Sequence, residues 1–215
     1  MRIVPVLALV GGVGSGKSSV AHWVEERRNV AVIDGDVVGH EVLQQNEILS
    51  KIREEFGLEV FNSEGKIDRQ KLAKLVFGRH RSQQEAKTRL ERIVHPEIKR
   101  RMEFLINRLK EDPDIEAVIL DAAVLLEANW QEVCDKIVFV ETSAETRLRR
   151  VSQNRNWTQE ELFRREASQF SIEKKRELAD YCIENGGSLS NAGEQLQRIL
   201  DSEETFSPLG RVDRK

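Results

Sequence analysis

Gly11-Gly12-Val13-Gly14-Ser15-Gly16-Lys17-Ser18 fits the pattern G-x-x-x-x-G-K-[ST]. Its flanks fit too. The apolar run 4–10 predicts a buried strand before it, and residues 19–26 predict a helix after it. Glycines let the backbone wrap an anion so that successive N–H groups point at phosphate oxygens. The following helix adds its positive N-terminal end. In that geometry Lys17 reaches the β- and γ-phosphates of a nucleotide, and the Ser18 hydroxyl ligates Mg²⁺. Without those flanks the same residues would read as an ordinary glycine-rich turn.

Working outward, the 215 residues suit one domain, or one domain with a small insertion, and can bury a proper core. Net charge is −3, so no global field favours nucleic acid, and no nucleic-acid partner is expected. No apolar run approaches the ~20 residues that cross a bilayer, so no membrane partner is expected either. Arg2 leads straight into the strand that the loop requires, which argues against a removable signal peptide. Cys134 and Cys182 are isolated in apolar segments and lack metal-ligand spacing. They read as core filler in a reducing compartment, with the cytoplasm as the default.

Short apolar strands alternate with helical stretches, the pattern of a parallel α/β sheet. Strands are expected at 4–10, 30–33, 117–120, 136–140 and 181–183. One helix is expected over 37–56, a short one over 69–77, and a pair over 82–110 divided before Pro96. Helices follow at 146–154 and 159–179, with a last one around Leu196, Ile199 and Leu200. From Asp201 the chain turns polar and reads as a frayed tail.

Ligands of parallel α/β sheets bind outside the carboxyl ends of strands, where this reading places Asp34, Asp36 and Asp121. A phosphoryl-transfer enzyme needs one carboxylate to orient or deprotonate the accepting hydroxyl, and another helps to hold Mg²⁺. Asp36 suits the first task. Asp121, closing a Val118-Ile119-Leu120 strand, suits the second. Asp34-Gly35-Asp36 reads equally as a turn and helix cap. Arg147, Arg149, Arg150, Arg155, Arg164 and Arg165 either fold over a nucleotide or form a solvated face, given the interleaved Glu160, Glu161 and Glu166. Lys99-Arg100-Arg101 faces an anionic substrate or solvent, and by itself His95 before Pro96 reads as structural.

Several motifs coincide in order, and together they resemble the dephospho-CoA kinase family. The loop is similar to that family's GGIGSGKS. Ile33-Asp34-Gly35-Asp36 with His40-Glu41-Val42 resembles its I-D-A-D segment. Phe56-Gly57, Glu64-Gly65-Lys66-Ile67-Asp68-Arg69, Leu72 and Val76-Phe77 resemble its F-G…D-G…D-R-x-x-L…V-F stretch. Leu90-Glu91-Arg92-Ile93-Val94-His95-Pro96 resembles its L-E-x-I-x-H-P signature. Leu125-Leu126-Glu127 matches the end of P-L-L-F-E, Arg165 and Gln169 fit R-I-x-x-Q, and Ala179-Asp180 with Asn185 fits the closing A-D…I-x-N. Ala123 and Leu126 stand where that pattern has Pro and Phe, and Glu166 where it has an apolar residue. Asn154 stands where a lid arginine aligns, one residue before Arg155.

The resemblance implies the fold of P-loop nucleotide kinases: three layers, a five-stranded parallel sheet, a helical substrate-binding domain and a lid. It implies a single kinase domain over 1–200 and a flexible tail over 201–215. The core would take about 1–36, 115–145 and 179–200, the acceptor region about 37–112 and the lid about 146–178. It implies transfer of the γ-phosphoryl of ATP, with Mg²⁺, to the ribose 3′-hydroxyl of dephospho-CoA, giving CoA and ADP. Carried onto this chain, residues 11–19, from Gly11 through Gly14, Ser15 and Gly16 to Ser19, hold the phosphates, and Lys17 stabilises charge on the γ-phosphoryl. Ser18 and Asp121 hold the metal. Asp36 orients or deprotonates the hydroxyl. Asp68, Arg69, His95, Leu125 and Glu127 lie toward the acceptor, Arg150 and Arg155 belong to the lid, and Asn185 lies near the adenine end. Another small-molecule P-loop kinase, nucleoside or shikimate-like, is the alternative. A GTPase-type switch predicts an N-K-x-D segment that this chain lacks. A scaffold without catalysis sits poorly with Lys17, Ser18 and Asp36 together. Oligomeric state is left open.

Overall fold

The computed structural model describes residues 4–78 and 80–202. The chain divides into two compact units, residues 1–34 with 105–215, and residues 35–104. The first unit is built on a parallel sheet. Its strands are β1 (Val6–Val10), β2 (Val30–Asp34), β3 (Ala117–Asp121), β4 (Lys136–Glu141) and β5 (Tyr181–Glu184), in the order β2-β3-β1-β4-β5. Every residue of β1 and β3 is buried. Strands covered on both faces read as unbroken apolar runs, which is why the sequence showed no alternation there. Helix α1 (Lys17–Glu25) sets Val20, Ala21 and Val24 against Leu7, Leu9 and Ile119. The last helix of the chain (Leu189–Asp201) adds Ala192, Leu196 and Leu200 to the same core.

The second unit is helical, with α2 (Gly35–Val42), α3 (Asn46–Phe56), α4 (Arg69–Val76) and most of α5 (Arg81–Lys110). The single helix expected over 37–56 is two. The Val38, Val42 stripe would continue every fourth residue onto Asn46 and Ser50, both polar and exposed, whereas Ile48, Ile52 and Phe56 form a new stripe out of phase. The chain therefore breaks at 43–45 and restarts. Conversely, the division expected before Pro96 does not occur, and α5 runs through it. Proline removes one helical hydrogen bond, at about 3 kcal/mol. Against that stand Val94, Ile98, Met102 and Ile106, spaced by four and all buried. At about 1.5–3 kcal/mol for each buried side chain the stripe outweighs the proline. Pro96 itself is exposed.

Back in the first unit, the helix expected over 159–179 is also two, α7 (Gln159–Glu166) and α8 (Ile172–Glu177), after α6 (Ala144–Arg155). Ser171 caps α8 by accepting from the Lys174 N–H, and the Phe170 N–H is diverted to the Glu127 carboxylate at 2.7 Å. A continuous helix would have sent that N–H to Glu166. The final helix, α9 (Leu189–Asp201), includes Asp201, and the frayed tail expected beyond it lies outside the described residues from 203. The cysteines are not core filler: Cys134 is half-buried and Cys182 exposed. In β5 only Ile183 is buried, because this strand forms the sheet edge.

Asp68 caps α4, accepting from the Gln70 and Lys71 N–H groups at 3.0 and 3.1 Å. Asp68→Ala is expected to lower stability by about 1 kcal/mol, the usual value of such a cap, measurable as a reduced melting temperature.

Candidate phosphate-binding site and its supporting shell

The loop between β1 and α1 turns back on itself, with the Ser15 N–H donating to the Gly12 carbonyl at 3.1 Å. Gly16 lies in the left-handed region at φ 88° and leads directly into α1. A Cβ there would also meet Asn185 Nδ2 at 2.4 Å, so only glycine fits on both counts. Helix α1 has no side-chain cap, whereas α4 and α6 to α9 are each capped by Asp68, Ser143, Thr158, Ser171 or Ser188. The first N–H groups of α1 thus keep their donor capacity toward an anion. Lys17 Nζ folds back to the Gly11 and Gly12 carbonyls at 3.4 and 3.3 Å, long contacts that bind it weakly.

Beneath the loop lies a shell of donors that converge on one atom. The Ser15 carbonyl accepts from Asn185 Nδ2 at 2.7 Å, Arg150 Nη1 at 3.1 Å and Thr142 Oγ1 at 3.1 Å. Arg150 Nη2 adds a bond to the Asn185 carbonyl at 2.7 Å. Burial, followed by repulsion from Arg149, lowers the Arg150 pKa from its ordinary value. The shell ties α6 and the end of β5 to the loop.

That placement bears on several of the expected site residues. Asn185 is 2% exposed, and its amide nitrogen is engaged with the loop, so it braces the phosphate loop from below. Arg150 holds two backbone carbonyls of the same floor in this conformation. Arg155 ends α6, with its guanidinium 4.8 Å from the Trp157 ring centre, and Arg165 stacks on the same ring at 4.1 Å. Leu125 is fully buried, which makes it a core residue without surface for a substrate. Glu127 meets the buried Lys175 at 3.1 Å. Sequence reasoning missed Thr142 and Lys175, and it left Arg147 open between a nucleotide cover and a solvated face. The signal for Thr142 was present, since it follows the end of β4 at the carboxyl edge of the sheet. Arg147 and Lys175 sit in charged runs that look solvated.

Asp121 closes β3 and is 9% exposed, with Asp34 and Leu9 as its partners in register on β2 and β1. Both lie at strand ends, as the sequence reading expected, and the strand order sets Asp34 and Asp121 side by side. Ser18 is exposed in the first turn of α1. A hydroxyl and carboxylates are hard oxygen donors of the kind Mg²⁺ takes. Among the described residues no three His, Cys, Asp or Glu side chains gather into a metal site.

On the second unit, Asp36 lies in the first turn of α2, two residues past the end of β2. Arg69 Nη2 meets His40 Nε2 at 3.0 Å. His95 is half-buried within α5. Burial lowers its pKa below the ordinary value, Glu91 opposing and Lys87 assisting, so its imidazole is neutral at pH 7. Lys99, Arg100 and Arg101 pair with Glu103, Glu97 and Glu41, which makes that basic run a solvated, ion-paired face.

The dephospho-CoA kinase model matches residues 5–191. The chain belongs to the dephospho-CoA kinase family. A Bacillus cereus dephospho-CoA kinase is 36% identical over 199 residues, covering 91% of this chain and 95% of its own length. A crystal structure of a Thermus thermophilus protein superposes with a TM-score of 0.76 at 30% identity, covering 92% of this chain and 97% of its own. A Campylobacter jejuni dephospho-CoA kinase structure superposes at 0.65 with 25% identity, covering 93% and 96%. The fold is accordingly that of dephospho-CoA kinases: an α/β P-loop kinase on a five-stranded parallel sheet, as the motifs implied.

Proposed function

We propose that this member of the dephospho-CoA kinase family transfers the γ-phosphoryl of ATP to the ribose 3′-hydroxyl of dephospho-CoA, giving CoA and ADP. The observation that carries the reading is the braced, uncapped junction of loop and α1, with Lys17 at the first helical position. Phosphoryl transfer asks for alignment and charge neutralisation, and no covalent relay through the protein. Loop N–H groups from Gly11 to Ser19 take the phosphate oxygens. Lys17 leaves its two weak carbonyl contacts to neutralise charge on the migrating phosphoryl. Ser18 and Asp121 would hold Mg²⁺, which when bound would offset the charge of the phosphates. Asp36 accepts the hydroxyl proton. Residues 37–112, with Asp68, Arg69 and the neutral His95, serve the acceptor, and residues 146–178 with Arg155 serve as the lid.

We also read the enzyme as cytoplasmic, a compartment that keeps the free thiols of Cys134 and Cys182 reduced. The deciding experiment mixes the purified chain with ATP, Mg²⁺ and dephospho-CoA and follows ADP release and CoA formation. A matched panel of nucleoside, shikimate and sugar acceptors tests the alternative. Turnover of a panel member in place of dephospho-CoA would overturn the acceptor assignment.

A further inference from the structure

Two charged pairs, each with its cation buried, flank the phosphate loop on the side of α7 and α8, and the mechanism above uses neither. Arg147, 6% exposed, pairs with Glu166. Lys175, 2% exposed, reaches Glu127 at 3.1 Å, Gln169 Oε1 at 2.7 Å and the Ala123 carbonyl at 3.4 Å. A cavity of about 120 Å³ lies between them, lined by Gly12, Glu166, Gln169, Ile172 and Lys175 among others. Each cation already has its carboxylate, so the cavity carries no surplus positive charge to recruit an anion. The pairs organise the surrounding structure instead.

Lys175 sits one helical turn past Ile172. Ile172 bears directly on the loop: a Cβ on Gly12 would lie 2.8 Å from its Cδ1 and 2.6 Å from Arg147 Nη1. Gly12 is thus clamped between the start of α8 and the guanidinium of α6. Glu127 also takes the Phe170 N–H at 2.7 Å, which fixes the link entering α8. Lys175 therefore gathers three segments: the loop after β3, the link between α7 and α8, and the first turn of α8.

We propose that Lys175 is a positioning residue for nucleotide binding, which seats Ile172 on Gly12 and so holds the phosphate loop in its anion-cradling shape. Removing its charge leaves the half-buried Glu127 uncompensated and frees the link, and the loop loses its clamp. Burial lowers the Lys175 pKa and the Glu127 charge opposes that shift, as a tightly held pair requires.

This inference rests on the reading that the loop binds ATP. It does not depend on the acceptor. The test compares wild type with Lys175→Met, Lys175→Arg and Gln169→Ala, using calorimetric titration with Mg-ATP, steady-state kinetics on both substrates and thermal melts. Lys175→Met is expected to weaken ATP affinity at least about tenfold while KM for dephospho-CoA stays within about twofold. Lys175→Arg should restore most of the affinity. Gln169→Ala should shift it in the same direction by about threefold, and it supplies the answer if Lys175→Met does not fold. A lowered melting temperature with unchanged ATP affinity would overturn the proposal, as would equal loss toward both substrates or a silent Gln169→Ala. If wild type ignores dephospho-CoA while the affinity differences persist, the acceptor assignment falls and this inference stands.

Discussion

Lys17→Ala is expected to remove nearly all turnover while leaving the fold intact. A preorganised charge on the migrating phosphoryl acts most strongly in the transition state, and losing one such donor reduces kcat by about 10²–10³-fold. The structure explains why stability should be spared. Lys17 Nζ contacts the Gly11 and Gly12 carbonyls at 3.4 and 3.3 Å, neutral acceptors at long range whose loss costs little. The loop keeps its shape through Ser15, Asn185, Arg150 and Thr142, none of which involves Lys17. ADP release and a thermal melt on the same preparation check both halves. Near-normal turnover would show that the charge is supplied elsewhere, and a large fall in melting temperature would make Lys17 structural.

Asp36→Asn should separate chemistry from nucleotide binding. The amide keeps the shape and one acceptor oxygen but cannot take a proton, and losing a general base reduces rates by about 10²–10⁴-fold. ATP affinity should change by less than about twofold, because the role assigned to Asp36 concerns the acceptor hydroxyl. The observable is kcat against the dissociation constant for Mg-ATP from calorimetry. A parallel collapse of ATP affinity would instead make Asp36 part of the nucleotide or metal site. An unaltered rate would reduce it to the turn and cap that Asp34-Gly35-Asp36 also spells.

The legible parts of the molecule were those in which local chemistry repeats itself. All five strands were readable because each is a short apolar run closed by a polar or turn residue, and the parallel sheet followed from their alternation with helices. The loop was readable because glycine spacing and a lysine at one offset carry their own mechanism. Helix boundaries were less legible. The break at 43–45 depended on which apolar stripe had a neighbour to bury against. The continuity of α5 through Pro96 depended on a buried stripe strong enough to outweigh one lost hydrogen bond. The division at 167–171 depended on Glu127, distant in sequence, taking the Phe170 N–H.

The site divides in the same way. Gly11 to Ser18 and the strand-end carboxylates Asp34 and Asp121 were set by motif and by position at a strand terminus, because phosphate wrapping and sheet polarity are local properties of the chain. Asn185, Thr142, Arg147 and Lys175 acquired their tasks only when β4, β5, α6 and α8 came together. In the run Lys174-Lys175-Arg176 the composition is uniform, yet helical rotation turns Lys175 alone into the interior, while its neighbours remain exposed. Charge type is written in the sequence. Whether a charge meets water or a half-buried carboxylate depends on which residues lie opposite it, and only tertiary packing determines that.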